Sequence, residues 1–264
     1  MEDYYQINRE AWNLRSKVHQ QSEFYDVEGF KAGKTSLQEI ELQEMGDVKG
    51  KSMIHLQCHF GLDSLSWARM GAKVTGVDIA DESIKTAQAL AKELNIDARF
   101  VRSNLYDVPK VINTQYDIVF VSYGALIWLA DINKWAEIVS GLLKPGGKLY
   151  LVEFHPFIFT LDDDCLIKES YFNNEGPKDT TSEVTYADDG DDETVSYRNI
   201  EWNHSLGEIV SALLNNGLKL ASLKEFPFQV YDCFPNMQED EPGRFVFKNL
   251  GRKIPYMFSL TAVK

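Results

Sequence analysis

Asp78 closes the strand expected at Lys73–Val77, and an acid at the tip of such a strand is placed to accept hydrogen bonds from the two hydroxyls of a ribose. Upstream, Gln57–Asp63 forms a tight loop between a strand and a helix, where backbone amides at a helix N-terminus meet a ligand closely. Together these features imply a cofactor that contains a nucleoside. A dinucleotide would call for G-x-G-x-x-G, because a pyrophosphate lies almost on the backbone there. This loop offers Gln57, His59 and Gly61, so two of the small positions carry large side chains, which argues against a pyrophosphate. His155, at a strand end before Pro156, is the general-base candidate, since a near-neutral pKa suits removal of a hydroxyl or thiol proton. His55 and His59 straddle a strand end and a loop, a spacing that does not make a metal site. Trp12, Tyr25, Trp128 and Tyr231 are the aromatic candidates for a substrate wall.

The elements that must position these groups follow from periodicity. Met53–Leu56 reads as a buried strand, Ser64–Met70 as a short helix and Lys73–Val77 as the next strand. Asp81 is placed to cap a helix whose inner side is Ile84, Ala87, Ala91 and Leu94. Strands are expected at Ala98–Val101 and Tyr116–Val121, the latter apolar enough to be buried on both faces. Asp131 caps the next helix, with Trp135, Ile138, Val139 and Leu142 inward, and Leu143–Gly147 stops it before a strand at Lys148–Phe154. This cadence predicts a parallel sheet.

Before the core, Tyr4–Leu14 shows near-helical spacing and a second helix is expected at Leu37–Met45, with Phe24, Tyr25 and Phe30 in the loop between them. After Pro156 the cadence breaks. Residues 157–204 read as an inserted hairpin built from Ile167–Phe172 and Thr194–Trp202, with an acidic, solvated turn at Asp188–Glu193. Ser205 and Glu208 form a capping box for a helix that ends at Gly217. Strands at Leu218–Phe226 and Tyr256–Val263 bring the count to seven.

Composition narrows the function. The chain has 264 residues, room for one α/β domain with elaborations. Its 44 % hydrophobic and 25 % charged content is that of a soluble globular protein. No run approaches the ~18 apolar residues of a membrane span. The polar start MEDYYQINREAWN is not a signal peptide, so a cytoplasmic location is expected. Cys58, Cys165 and Cys233 are odd in number and far apart, so neither a disulfide framework nor a zinc site is indicated. A net charge of −13 without basic clusters excludes a nucleic-acid partner.

The segment HLQCHFGLDS, followed by LSWARMGA and the strand-end Asp78, resembles motif I of the class I S-adenosylmethionine (SAM)-dependent methyltransferases, in a branch close in style to thiopurine- and tellurite-type enzymes. His55 stands where that family usually has an acid, and Gln57 and His59 where it usually has glycines. LKPGG before the fifth strand is another family feature. The resemblance implies a Rossmann-like seven-stranded, mostly parallel α/β sheet with helices on both faces and an antiparallel last strand. It implies an N-terminal helical lid (1–48) and a SAM-binding core (49–264), the latter carrying the inserted β-hairpin cap at about 157–204. It sets Gln57, Cys58, His59 and Gly61 against the methionine part of SAM, Asp78 on the ribose and Ile79 on the adenine. Asn104 and Leu105 would meet the adenine edge, and Ser122 and Tyr123 would lie nearest the reacting methyl.

The implied activity is methyl transfer from SAM to a small-molecule O, N or S nucleophile by in-line displacement, with S-adenosylhomocysteine as the other product. Such a displacement chiefly needs donor and acceptor held in line and water kept out. A non-catalytic SAM-binding or scaffold protein would share these features. A nucleotide-cofactor oxidoreductase would share Asp78 but not the loop.

Overall fold

The computed structural model describes residues 3–173, 176–183, 185–187 and 196–264. The chain opens with helices α1 (Tyr4–His19), α2 (Val27–Lys31) and α3 (Glu39–Met45), and then enters an alternating core. That core runs β1 (Ser52–Leu56), α4 (Leu62–Arg69), β2 (Lys73–Asp78), α5 (Asp81–Glu93), β3 (Ala98–Arg102), α6 (Val108–Val111), β4 (Tyr116–Ser122), α7 (Ile132–Leu142) and β5 (Leu143–Phe154). Then come β6 (Lys178–Ser182), β7 (Tyr197–Glu201), α8 (Leu206–Asn215), β8 (Lys219–Phe226), β9 (Met237–Glu241), β10 (Arg244–Phe247) and β11 (Met257–Val263).

Seven strands make one sheet in the order β3-β2-β1-β4-β5-β11-β8. Pairing is parallel from β3 to β5, and β11 runs antiparallel to both β5 and β8. This is the expected sheet. The central strands feed both faces with period two. Val119 and Val121 pack with Trp135, Val139 and Leu213 on one side, while Ile118 and Phe120 pack with Trp67 and Tyr150 on the other. Each fully buried side chain of this size stabilises the fold by roughly 1.5–3 kcal/mol, before its ordering cost is counted.

Helix α1 is docked by specific bonds. Asn8 clamps β7 at two points, with Nδ2 donating to Ile200 O and Oδ1 accepting from Ile200 N, both at 2.8 Å. Arg9 Nε donates to Asp81 at 2.7 Å.

Two expectations need correction, the first strand of the inserted hairpin and the Asp81 cap. The insertion's hairpin pairs β6 with β7, so its first strand is Lys178–Ser182. Ile167–Phe172 makes only a bridge at Ile167, and its apolar side chains are exposed. The polar strand KDTTS gave little hydrophobic signal. The turn expected at Asp188–Glu193 lies outside the described residues. Asp81 is the first residue of α5 and not its cap; its carboxylate is drawn to Arg9 and Arg102 instead. The hairpin β9–β10 was not foreseen.

Candidate functional site

Residues at the carboxyl ends of β1, β2 and β4 meet the inner face of α1 around a cavity of about 440 Å³, within the range of small-molecule sites. The loop after β1 shapes its floor. Gln57, His59 and Gly61 all have left-handed backbone, with φ of 57°, 51° and 84°. The loop therefore keeps a glycine-type path while carrying two large side chains, a conformation that costs on the order of 1–3 kcal/mol per residue and gathers at functional sites. At Gly61 even a methyl is barred, since an added Cβ would lie 2.7 Å from the Phe100 ring.

Asp78 braces this loop. One carboxylate oxygen accepts from His59 N at 2.8 Å and the other from Ala80 N at 2.9 Å. Burial raises its pKa to about 6 against the opposing pull of those amides. Each oxygen retains a further lone pair for a ligand hydroxyl. Asn104 accepts from Tyr106 N at 3.0 Å, an Asx turn that also leaves its oxygen one acceptor site. The loop after β4 is held by Glu153, whose buried carboxylate accepts from Gly124 N, from Ala125 N at 2.7 Å and from Leu126 N at 3.0 Å.

The wall is aromatic. Trp12 meets Trp128 edge to face at 5.3 Å, and the Arg15 guanidinium lies 5.0 and 5.1 Å from their ring centres. Tyr25 stacks on His59, and Tyr123 meets Tyr231 edge to face. His59 Nε2 lies 3.1 Å from His19 Nδ1, and His19 Nε2 lies 2.6 Å from Thr185 Oγ1. Burial holds His59 neutral, with a pKa of about 3.

Two buried polar atoms in this lining have no hydrogen-bond partner among the described residues: the Arg15 Nε donor and the Gln57 Oε1 acceptor. Gln57 Nε2 is fixed on Ala125 O at 2.7 Å. An unmade bond at a buried polar group is costly, so a ligand that brings both an acceptor and a donor is favoured.

Gln57, Cys58, His59, Gly61, Asp78, Ile79, Asn104, Leu105, Ser122, Tyr123, Trp12, Tyr25, Trp128 and Tyr231 all line the cavity. His155 does not. It is buried in a turn, with Nδ1 accepting from Phe157 N at 3.1 Å and Nε2 3.0 Å from Glu225 without hydrogen-bond alignment. His155 is thus set apart from the side chains that the cavity brings together. Sequence reasoning missed Arg15 and Asp63. Arg15 sits on the helical face that also carries Trp12, outside any motif, and Asp63 lies within the HLQCHFGLDS segment, where it reads as an acid in the first turn of the helix after the loop.

Residues 54–147 match the family described as a methyltransferase domain. The ubiquinone biosynthesis O-methyltransferase of Photorhabdus laumondii is 31 % identical over 109 residues, 41 % of this chain and 45 % of that protein. Its Xanthomonas oryzae counterpart is 31 % identical over 105 residues, 40 % and 44 %. The chain thus matches less than half the length of these relatives. Among solved structures, magnesium protoporphyrin IX methyltransferase from Synechocystis PCC 6803, with bound S-adenosylhomocysteine, superposes with a TM-score of 0.58 at 16 % identity, covering 99 % of this chain and 100 % of that one. A SAM-dependent methyltransferase from Mesorhizobium loti gives 0.57 at 16 % identity, covering 85 % and 96 %. These likenesses establish the fold.

Proposed function

We propose, from the premise that residues 54–147 carry a methyltransferase domain, that this chain is a SAM-dependent methyltransferase acting on a small molecule. The observation that carries the reading is the pair of unpartnered atoms in the cavity, Arg15 Nε and Gln57 Oε1. The amino-acid end of SAM offers a carboxylate to the first and an ammonium to the second, so the residues fit the cofactor. Asp78 takes the ribose hydroxyls, Ile79 lies against the adenine, and Asn104 with Leu105 meets the base edge. Cys58, His59 and Gly61 supply the close backbone of the methionine subsite. The side chains of Gln57 and His59 disfavour a pyrophosphate lying on this loop.

The bound cofactor supplies an activated methyl on a sulfonium. The protein's own work is to align and to exclude water. Ser122 and Tyr123 border the reacting region. Trp12, Tyr25, Trp128 and Tyr231 wall it, and their ring faces attract positive charge. Residues 1–48 act as the lid and the insertion near 157–204 as the cap, in keeping with the α1 and Tyr186 side chains that reach the cavity. No helix among the described residues is long and apolar enough to cross a membrane.

Thermal shift provides the test: SAM and S-adenosylhomocysteine are expected to stabilise the protein, and stabilisation by NADH alone would overturn the reading. Transfer of labelled methyl into fractionated cell extract is expected to mark low-mass material. Label in protein or RNA would refute the small-molecule acceptor. Cofactor binding with no label anywhere would make this a binding protein.

A further inference from the structure

Charge is unevenly set around the cavity. Among the described residues that line it, Arg15 is the cationic side chain, facing three acids, Asp63, Asp78 and Glu201. On the reading above, Arg15 is matched by a carboxylate and Asp78 by ribose hydroxyls. Asp63, in the first turn of α4, has no counter-charge among the described residues. Its carboxylate accepts from Ser36 Oγ at 2.7 Å and from Ser122 Oγ at 3.1 Å. Ser122 Oγ also lies 3.3 Å from His55 Nε2, and His55 Nδ1 lies 2.9 Å from Ser64 Oγ. One orientation satisfies the whole chain: Ser64 donates to Nδ1, Nε2–H donates to Ser122, and Ser122 donates to Asp63. The chain aims hydrogen atoms at Asp63 yet brings no positive charge, because burial keeps His55 neutral with a pKa of about 3.

The surroundings of Asp63 are aromatic and acidic. Tyr25, Tyr123 and Tyr231 line the cavity within reach of its charge. Behind Tyr123, the buried Glu41 accepts from the phenol hydroxyl at 2.7 Å and adds a second carboxyl group. Carboxylate and ring faces together complement an ammonium ion. A phenolate or thiolate would meet like charge here in a low-dielectric setting.

We propose that the methyl acceptor is an amine, bound as its ammonium by Asp63 among the rings of Tyr25, Tyr123 and Tyr231, and that Asp63 takes its proton. This rests on the methyltransferase reading. In the proton step the N–H bond breaks, its electron pair stays on nitrogen as the nucleophilic lone pair, and the proton passes to Asp63, which becomes a neutral carboxylic acid. Burial raises the Asp63 pKa while Ser36 and Ser122 oppose it, so the group is more basic than a surface aspartate.

Titration calorimetry on the S-adenosylhomocysteine complex tests this by comparing phenethylamine with 4-ethylphenol, probes of similar size. That complex lacks the sulfonium charge, which would repel an ammonium. At pH 7 the amine is expected to bind at least about tenfold more tightly than the phenol. Asp63→Asn should abolish the preference while S-adenosylhomocysteine still binds. Equal or tighter binding of the phenol, or no binding of the amine, overturns the proposal whether or not the variant folds. Failure of S-adenosylhomocysteine itself to bind would sink the methyltransferase reading, and this proposal with it.

Discussion

Asp78 carries two duties at once, holding the His59 and Ala80 amides and presenting its remaining lone pairs to the cavity. Asp78→Ala is therefore expected to weaken S-adenosylhomocysteine and adenosine alike, by ~2–3 kcal/mol in calorimetry. Unchanged affinity for both would make Asp78 a purely structural brace. Gly61 tests the loop itself. An alanine there would combine a left-handed backbone with a methyl driven into Phe100. Gly61→Ala should cost roughly 2–4 kcal/mol of stability, read as a lowered urea midpoint with an unchanged slope. A midpoint within error of the wild type would mean that the loop can relax. Gln57 and His59 reach the same backbone region without glycine, so this path is held by its surroundings and not by residue preference alone.

At the scale of elements, α1 joins the core to the amino-acid end of the proposed cofactor. Arg15→Ala is expected to reduce affinity for S-adenosylhomocysteine by about 2 kcal/mol and to leave adenosine binding nearly unchanged, because only the former carries a carboxylate. Equal losses for both ligands would mean that α1 had simply come loose. Much of this architecture was legible in advance. Apolar periodicity located every strand of the large sheet, and the Ser205–Glu208 capping box and the Asp131 cap stand as read. Local signals sufficed there because propensity and burial agreed. They failed for KDTTS, whose pairing with β7 depends on partners distant in sequence, and for Ile167–Phe172, whose β-prone residues found no partner strand. The cavity residues after β1, β2 and β4 could be named because strand ends define a crevice in such sheets. Arg15 could not, since an arginine in an amphipathic helix reads as a solvent-facing residue until its stacking on Trp12, Trp128 and Tyr197 is seen. His155 is the converse case, a strand-end position whose side chain turns toward Glu225 and not into the cavity.

For the molecule as a whole, buried acids and histidines pull stability in opposite directions. Glu41 is raised to about 8 by burial, with Asp63 adding to the rise, and Asp78 is raised to about 6. The folded state holds these protons more tightly than the unfolded chain, so each contribution is lost as pH rises towards the folded pKa. His55 and His59, lowered to about 3, act the other way and lose stability as pH falls below about 6.5. Above about pH 6.5 the histidines are spent and Glu41 remains, so stability should fall by about 2 kcal/mol from pH 6.5 to 8. Urea midpoints at those two pH values check this, and Glu41→Gln should flatten the difference. A slope that survives the substitution would assign it to another group. The His59–His19–Thr185 chain has a consequence of its own. It ties the loop, the end of α1 and the insertion into one clasp beside the cavity wall that His59 forms, so on the proposed function exchange of spent for fresh cofactor is expected to part all three. Departure, and not bond-making, is then expected to limit the steady-state rate. Rapid-quench experiments are expected to show a burst of one methylated product per enzyme before a slower linear phase; a strictly linear time course from the first turnover would show the clasp to be no barrier.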